Sequence, residues 1–143
     1  MGFFTLEAAR LTGPEGRVYA VDLQERMISA LERRVRRAKM SNAIEARVCP
    51  ADSLGVSDLD GTIDLILALY LVHEVPDPDR LFREFRQVLR PGGRCLVLEP
   101  AGHISKDAFT ESMETARQAG FVASPGPAVR KSYSAMLDLE VRE

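Results

Sequence analysis

The sequence predicts an α/β layered domain with a mostly parallel sheet, and three observations carry that expectation. The first is the apolar run from Ile63 to Val72, bounded by Gly61-Thr62 on one side and Pro76-Asp77-Pro78-Asp79 on the other. A run this short and this apolar suits a strand buried on both faces. The second is the helical pattern that follows. Asp77 offers an N-cap and Pro78 a first helical position. Leu81, Phe82, Phe85, Val88 and Leu89 recur at helical spacing, with Arg83, Glu84, Arg86 and Gln87 on the other face. The third is Pro91-Gly92-Gly93, which should end that helix, followed by Arg94-Cys95-Leu96-Val97-Leu98-Glu99 as another buried strand. Strand, crossover helix and parallel strand form one layered unit.

A chain of 143 residues can bury a real core, and a single domain spanning residues 1–143 is expected. The net charge of −2 gives no basic excess that would point to nucleic acid. The local cluster Arg33, Arg34, Arg36, Arg37 and Lys39 reads as the solvated face of a helix. Cys49 and Cys95 have no metal-type spacing and fall in separate strands. They are expected as reduced thiols in a cytoplasmic protein. No apolar run reaches the ~18 residues of a membrane span.

The remaining elements follow in order. Met1 to Leu11 should be a helix with Phe4, Ala8 and Leu11 on one face, stopped by Gly13-Pro14-Glu15-Gly16. Arg17 to Asp22 is the next strand, and Gln24 to Met40 a helix with Met27, Leu31, Val35 and Ala38 inward. Ala43 to Cys49 alternates, as a half-exposed edge strand does, and leads into Pro50-Ala51-Asp52-Ser53-Leu54. After the central unit, Ser105 should cap a helix through Ala119, with Gly120 as its stop. Phe121 to Ala123 is a short strand and Ser124 to Pro127 a turn. An alternating strand from Tyr133 to Val141 closes the chain. The last two strands, joined by a short link, should pair antiparallel.

Ligands of open parallel sheets bind outside the carboxyl ends of the strands. Those ends carry Asp22-Leu23, Ala51-Asp52-Ser53, Leu69-Tyr70-Leu71 with His73-Glu74, and Glu99-Pro100. An ionised carboxylate only accepts hydrogen bonds, so an acid after a strand suits a ribose diol, and a second acid suits an exocyclic amine. Two such acids on consecutive strand ends match an adenosine-shaped ligand. Each residue also has a plainer reading. Asp22 with Glu25 fits a helix-capping arrangement, and Asp52 fits an Asx-turn. His73 could hydrogen-bond a nearby backbone group, Tyr70 could be core, and His103 has no partner visible in the sequence.

The series RVYAVD, PADSL, IDLILALYLVHEVPDP and LFREFRQVLRPGGRCLVLE resembles class I S-adenosylmethionine-dependent methyltransferases. The likeness is greatest to the type 11 group, which includes the ubiquinone and menaquinone biosynthesis methyltransferases. The resemblance implies a Rossmann-like three-layer sandwich around a seven-stranded sheet in the order 3-2-1-4-5-7-6, its last strand antiparallel. It implies S-adenosyl-L-methionine as cofactor and methyl transfer to a small-molecule acceptor that the sequence does not identify. By match of position, Asp22 would hold the cofactor's ribose, Leu23 would lie beside its adenine, and Asp52, with Ser53 next to it, near the adenine amine. Leu69 and Tyr70 would line the cofactor and face the acceptor. His73 and Glu74 fall near the acceptor mouth, and His73 is the candidate base if the acceptor must lose a proton, its ordinary pKa being near neutral.

The family's first strand and glycine-rich turn should precede FFTLEAARL; only Gly2 stands for that loop, and it is counted among the cofactor-binding residues. The natural product is therefore expected to have further residues upstream. A buried central strand contributes on the order of 10 kcal/mol, against whole-domain stabilities of about 5–15 kcal/mol. The chain is accordingly expected to be marginally stable, to associate as a homo-oligomer through its incomplete sheet, and to bind cofactor weakly. Two rival readings stand beside the methyltransferase: a nicotinamide-dependent Rossmann oxidoreductase, and a catalytically inactive remnant serving as an interaction module. Asp52 and LRPGGR favour the methyltransferase over the oxidoreductase.

Overall fold

A computed structural model of the chain describes residues 2–141, with side chains from Phe4 onward. The chain divides into two compact units, Met1–Gly55 and Val56–Glu143.

The first unit packs two helices on a parallel pair of strands. α1 (Gly2–Thr12) is followed by β1 (Val18–Asp22), α2 (Glu25–Arg37) and β2 (Ile44–Val48). β1 and β2 run parallel, with Val18 opposite Ile44 and Asp22 opposite Val48. The core joins Ala9, Ala20, Leu31, Val35 and Ile44, with Leu6, Val18 and Met40 packed at its margin. α2 buries Ile28, Leu31 and Val35 and ends in Arg34, Arg36 and Arg37. Cations there complement the negative end of the helix dipole. α1 corrects one expectation. It packs through Leu6 and Ala9, whereas Phe4 and Leu11 are 57% and 86% exposed. Apolar residues stand all round this helix, so their spacing does not single out the face that packs.

The second unit holds a four-stranded sheet in the order β3-β4-β6-β5. Its elements are β3 (Ile63–Leu69), α3 (Pro78–Val88), β4 (Leu89–Pro100), α4 (Lys106–Gln118), β5 (Phe121–Pro125) and β6 (Ser132–Leu139). β3 and β4 are parallel, as the crossover predicted. β6 runs antiparallel to both β4 and β5, which gives the expected antiparallel closing pair. The two sheets reproduce the runs 3-2 and 4-5-7-6 of the order that the resemblance implies.

Local chemistry explains why these segments form. Asp77 caps α3 by accepting the Arg80 N–H at 3.1 Å, with Pro78 next in line. Leu81, Phe82, Phe85 and Val88 of that helix are all buried. Phe82 meets Phe85 and Phe121 edge to face, at centroid distances of 6.0 and 6.4 Å. Ser105 caps α4 by accepting the Ala108 N–H at 3.0 Å. Cys95 is fully buried, and burial pushes its thiol well above the usual range, so it behaves as an inert apolar side chain.

Two findings depart from the sequence reading of the central unit. β4 begins at Leu89, ahead of the Pro-Gly-Gly turn. Leu89 pairs with Ile63, and regular pairing resumes only at Arg94 with Leu65. Residues 90–93 are thus an excursion within a strand, which the turn residues alone would place between elements. β3 is also less buried than expected: Leu65 and Leu67 are 52% and 43% exposed. Among the described residues β3 pairs with β4 alone, as an edge strand, and its odd-numbered face lies open in part.

Gly92 and Gly93 serve different needs in that excursion. Gly92 has φ of +82°, which favours glycine. At Gly93 a Cβ would lie 2.9 Å from the carbonyl oxygens of both Arg90 and Ile63. Backbone atoms cannot swing aside as a side-chain tip can. Gly93→Ala is expected to lower stability in urea unfolding by about 1–3 kcal/mol; an unchanged midpoint and slope would show that the turn relaxes freely.

Candidate functional site

In the first unit, Asp22 closes β1 half-buried, and its backbone carbonyl accepts the Cys49 N–H at 2.9 Å, which locks the two strand ends together. Its Oδ1 accepts the Gln24 N–H at 2.7 Å. That bond rules on the capping alternative. The cap position of α2 is Gln24, which makes no side-chain cap bond. Asp22 instead fixes the turn leaving β1 and keeps its second carboxylate oxygen for another donor. Leu23 beside it is 57% exposed, and Val48, its strand partner's last residue, is 49% exposed. An acid with apolar surface next to it suits a sugar joined to a flat base.

Asp52 is exposed in the turn that follows β2, so it lies at the same end of this parallel pair as Asp22. Ser53 accepts the Gly55 N–H on Oγ at 3.0 Å, which gives it a turn-forming role. Gly2 is the first residue of α1. Asp22, Leu23 and Asp52 thus fall at one end of the β1–β2 pair, two carboxylate acceptors with an exposed apolar side chain beside the first.

In the second unit, Leu69 ends β3 half-buried and Tyr70 follows with φ of +57°. A non-glycine residue in this region is costly, by about 1–3 kcal/mol, and such strain gathers at working sites. Two bonds hold it there. The Tyr70 N–H donates to the Leu98 carbonyl at 2.8 Å, and its hydroxyl lies 2.9 Å from Ser132 Oγ. Tyr70 is 40% exposed, so the core reading of it does not hold.

A 3-10 turn, Val72–Glu74, comes next. Here the chain brings together residues that the sequence left apart. Glu99, the penultimate residue of β4, is 1% exposed. Its Oε1 accepts the Val72 N–H at 2.7 Å, and its Oε2 is hydrogen-bonded to His73 Nδ1. The His73 side chain is 20% exposed, and its Nε2 is 3.7 Å from Glu74. The His103 ring stands 6.4 Å from that of His73. Sequence reasoning placed Glu99 at a strand end and assigned it no partner. The signal was there: a single acid closing an apolar strand must be paired if it is buried.

The same unit carries an open groove of about 580 Å³, lined by Lys106, Phe109, Val129, Arg130, Ser132 and Tyr133 among others. Phe109 and Tyr133 stack at 5.4 Å. Ser132 of the lining is hydrogen-bonded to Tyr70, and Tyr133 is the strand partner of Glu99, while His73 and Glu99 themselves are not lining residues. Among the described residues no group of His, Cys, Asp and Glu is arranged to hold a metal ion, and no helix is long and apolar enough to cross a membrane.

Residues 1–97 match the family described as a methyltransferase domain. The ubiquinone/menaquinone biosynthesis C-methyltransferase of Pasteurella multocida is 32% identical over 98 residues, which are 68% of this chain and 36% of that protein. The chain thus spans little more than a third of the length of that relative. Among solved structures, a SAM-dependent methyltransferase from Aquifex aeolicus superposes with a TM-score of 0.79 at 21% identity, over 95% of this chain and 74% of its own. Geranyl diphosphate C-methyltransferase from Streptomyces coelicolor A3(2), solved with Mg2+, geranyl diphosphate and S-adenosyl-L-homocysteine, gives 0.70 at 15% identity, covering 92% and 66%. The nicotinamide oxidoreductase reading finds no support in these likenesses. The family match takes in both acid-bearing strand ends, the Tyr70–His73 segment and the Pro-Gly-Gly excursion, and the chain belongs to the methyltransferase domain family.

Proposed function

We propose that this chain carries out S-adenosyl-L-methionine-dependent methyl transfer to a small-molecule acceptor, with both units as parts of one methyltransferase domain. The observation that carries the reading is the pair of acids, Asp22 and Asp52, at the carboxyl ends of two paired parallel strands with exposed Leu23 beside the first. The continuous family match across residues 1–97 supports treating the units together.

The cofactor supplies an already activated methyl group, which leaves the protein to orient, desolvate and manage protons. Asp22 accepts from the ribose, Leu23 offers the base an apolar wall, and Asp52 accepts from the base amine. The family resemblance assigns Leu69 and Tyr70, at the end of β3, to the cofactor as well. His73 is the base, its imidazole held by Glu99 at the turn after β3. The acceptor occupies the groove whose lining residue Ser132 is bonded to Tyr70, where Phe109 and Tyr133 present stacked rings and Lys106 and Arg130 positive charge.

The relative from Pasteurella is named a C-methyltransferase of quinone biosynthesis. We extend that to this chain as methylation of an electron-rich ring carbon of a quinol. Joining a methyl to such a carbon requires the ring proton to leave, which gives His73 its task. The buried, reduced thiol of Cys95 accords with a reducing compartment such as the cytoplasm. The open edge of β3, with Leu65 and Leu67 exposed, is the surface through which two copies associate.

S-adenosyl-L-homocysteine at millimolar concentration is expected to raise the melting temperature, while NAD does not. Asp22→Ala should weaken that protection about 10- to 100-fold in concentration; equal protection of wild type and variant would remove Asp22 from the site. Transfer of a labelled methyl group to 1,4-naphthoquinol tests the acceptor class. A protein that binds S-adenosyl-L-homocysteine but shows no turnover with any acceptor would instead match the inactive-remnant reading. In sedimentation velocity the wild type should run as a dimer or larger, and Leu65→Glu as a monomer; a wild-type monomer at tens of micromolar would refute association through this edge.

A further inference from the structure

Glu99 sits at 1% exposure and holds two different groups, one on each oxygen: the Val72 N–H on Oε1 and His73 Nδ1 on Oε2. A backbone N–H can only donate, so the carboxylate is already an acceptor at Oε1. An ionised carboxylate is also an acceptor at Oε2, which requires Nδ1 of His73 to carry a hydrogen. In the neutral imidazole, one hydrogen on Nδ1 leaves Nε2 as the ring's acceptor. The nearest charged group to that nitrogen is the Glu74 carboxylate at 3.7 Å, itself 72% exposed and free to swing into water.

We infer that Glu99 is a positioning residue for the reaction: it fixes His73 in the Nδ1–H tautomer and so makes Nε2 the atom that takes the acceptor's proton. The inference rests on the reading of His73 as base given above, and adds to it the residue that sets the ring's tautomer and direction. The second bond of Glu99 has a separate consequence. By gripping the Val72 N–H, the same carboxylate holds the backbone that carries the ring, so ring and turn are registered from one buried point on β4. Proton balance is simple. The ring carbon of the acceptor gives its proton to Nε2, His73 becomes doubly protonated, and Glu99 opposite Nδ1 offsets the new charge before the proton passes to solvent.

Glu99→Gln preserves shape and separates these roles. Its amide oxygen can still accept from Val72, but its NH2 must then face His73 Nδ1 and donate, which forces the hydrogen to Nε2. Nitrogen-15 NMR of histidine-labelled full-length protein reads the tautomer directly. The wild type is expected as Nδ1–H and Glu99→Gln as Nε2–H, with kcat for naphthoquinol methylation falling about 100-fold in both Glu99→Gln and His73→Asn at little-changed KM. An Nε2–H wild type, or a tautomer that Glu99→Gln does not alter, overturns the inference, and needs neither turnover nor a folded variant in the first case. A kcat drop in His73→Asn alone would leave the base reading standing and this inference refuted. A tautomer switch with unchanged kcat in both variants would refute both.

Discussion

A carboxylate at the end of an apolar strand constrains everything around it. Glu99 lies at 1% exposure, and an isolated charge taken so far from water costs several kcal/mol even after relaxation. Its two hydrogen bonds offset that cost, and both partners belong to one short turn after β3. The pairing therefore does structural work before it does any chemistry. It ties the end of β4 to the turn that leaves β3, alongside the Tyr70 N–H bond to Leu98 one step earlier. Two adjacent parallel strands are thus clasped at the end where a ligand would approach.

The same clasp accounts for the strain at Tyr70. A left-handed tyrosine persists only where its surroundings over-determine it. Here the backbone is held on one side by Leu98, the hydroxyl by Ser132 on β6, and the following turn by Glu99. The chain turns sharply because those bonds leave it no other course, and the sharp turn brings the His73 ring round to Glu99. Strain, clasp and ring orientation are one arrangement seen at three residues.

The sequence shows some of this directly and hides the rest for physical reasons. The helix α3 was legible because its signals are local: a cap at Asp77, a proline after it, and apolar residues at helical spacing. The β3–α3–β4 unit followed from it. Burial of β3 on both faces was not legible, because Leu65 and Leu67 are apolar whether or not a neighbouring strand pairs with them. The packing face of α1 failed likewise, since its apolar residues are spread round the helix. The place of Asp22 at a strand end was legible, yet whether it caps α2 depends on a one- or two-residue shift in where the helix begins. Glu99 escaped assignment because its partners lie 26 and 27 residues earlier in the chain, a separation no periodicity spans.

That long separation also says where specificity in such a domain can change. Asp22 and the turn it anchors are set by bonds within a few residues, so their geometry survives substitution elsewhere. The His73 ring depends on a partner on another strand, and that strand in turn is paired with β6, whose first residues wall the groove. A change at Ser132 or Tyr133 therefore acts on two things at once: the shape offered to an acceptor, and the register of the strand that carries Glu99. Under the proposed assignment, cofactor-side and acceptor-side contacts are therefore separable. The Asp22 side rests on a local turn; the His73 side rests on sheet pairing, where a single substitution can move both the groove wall and the strand that carries Glu99.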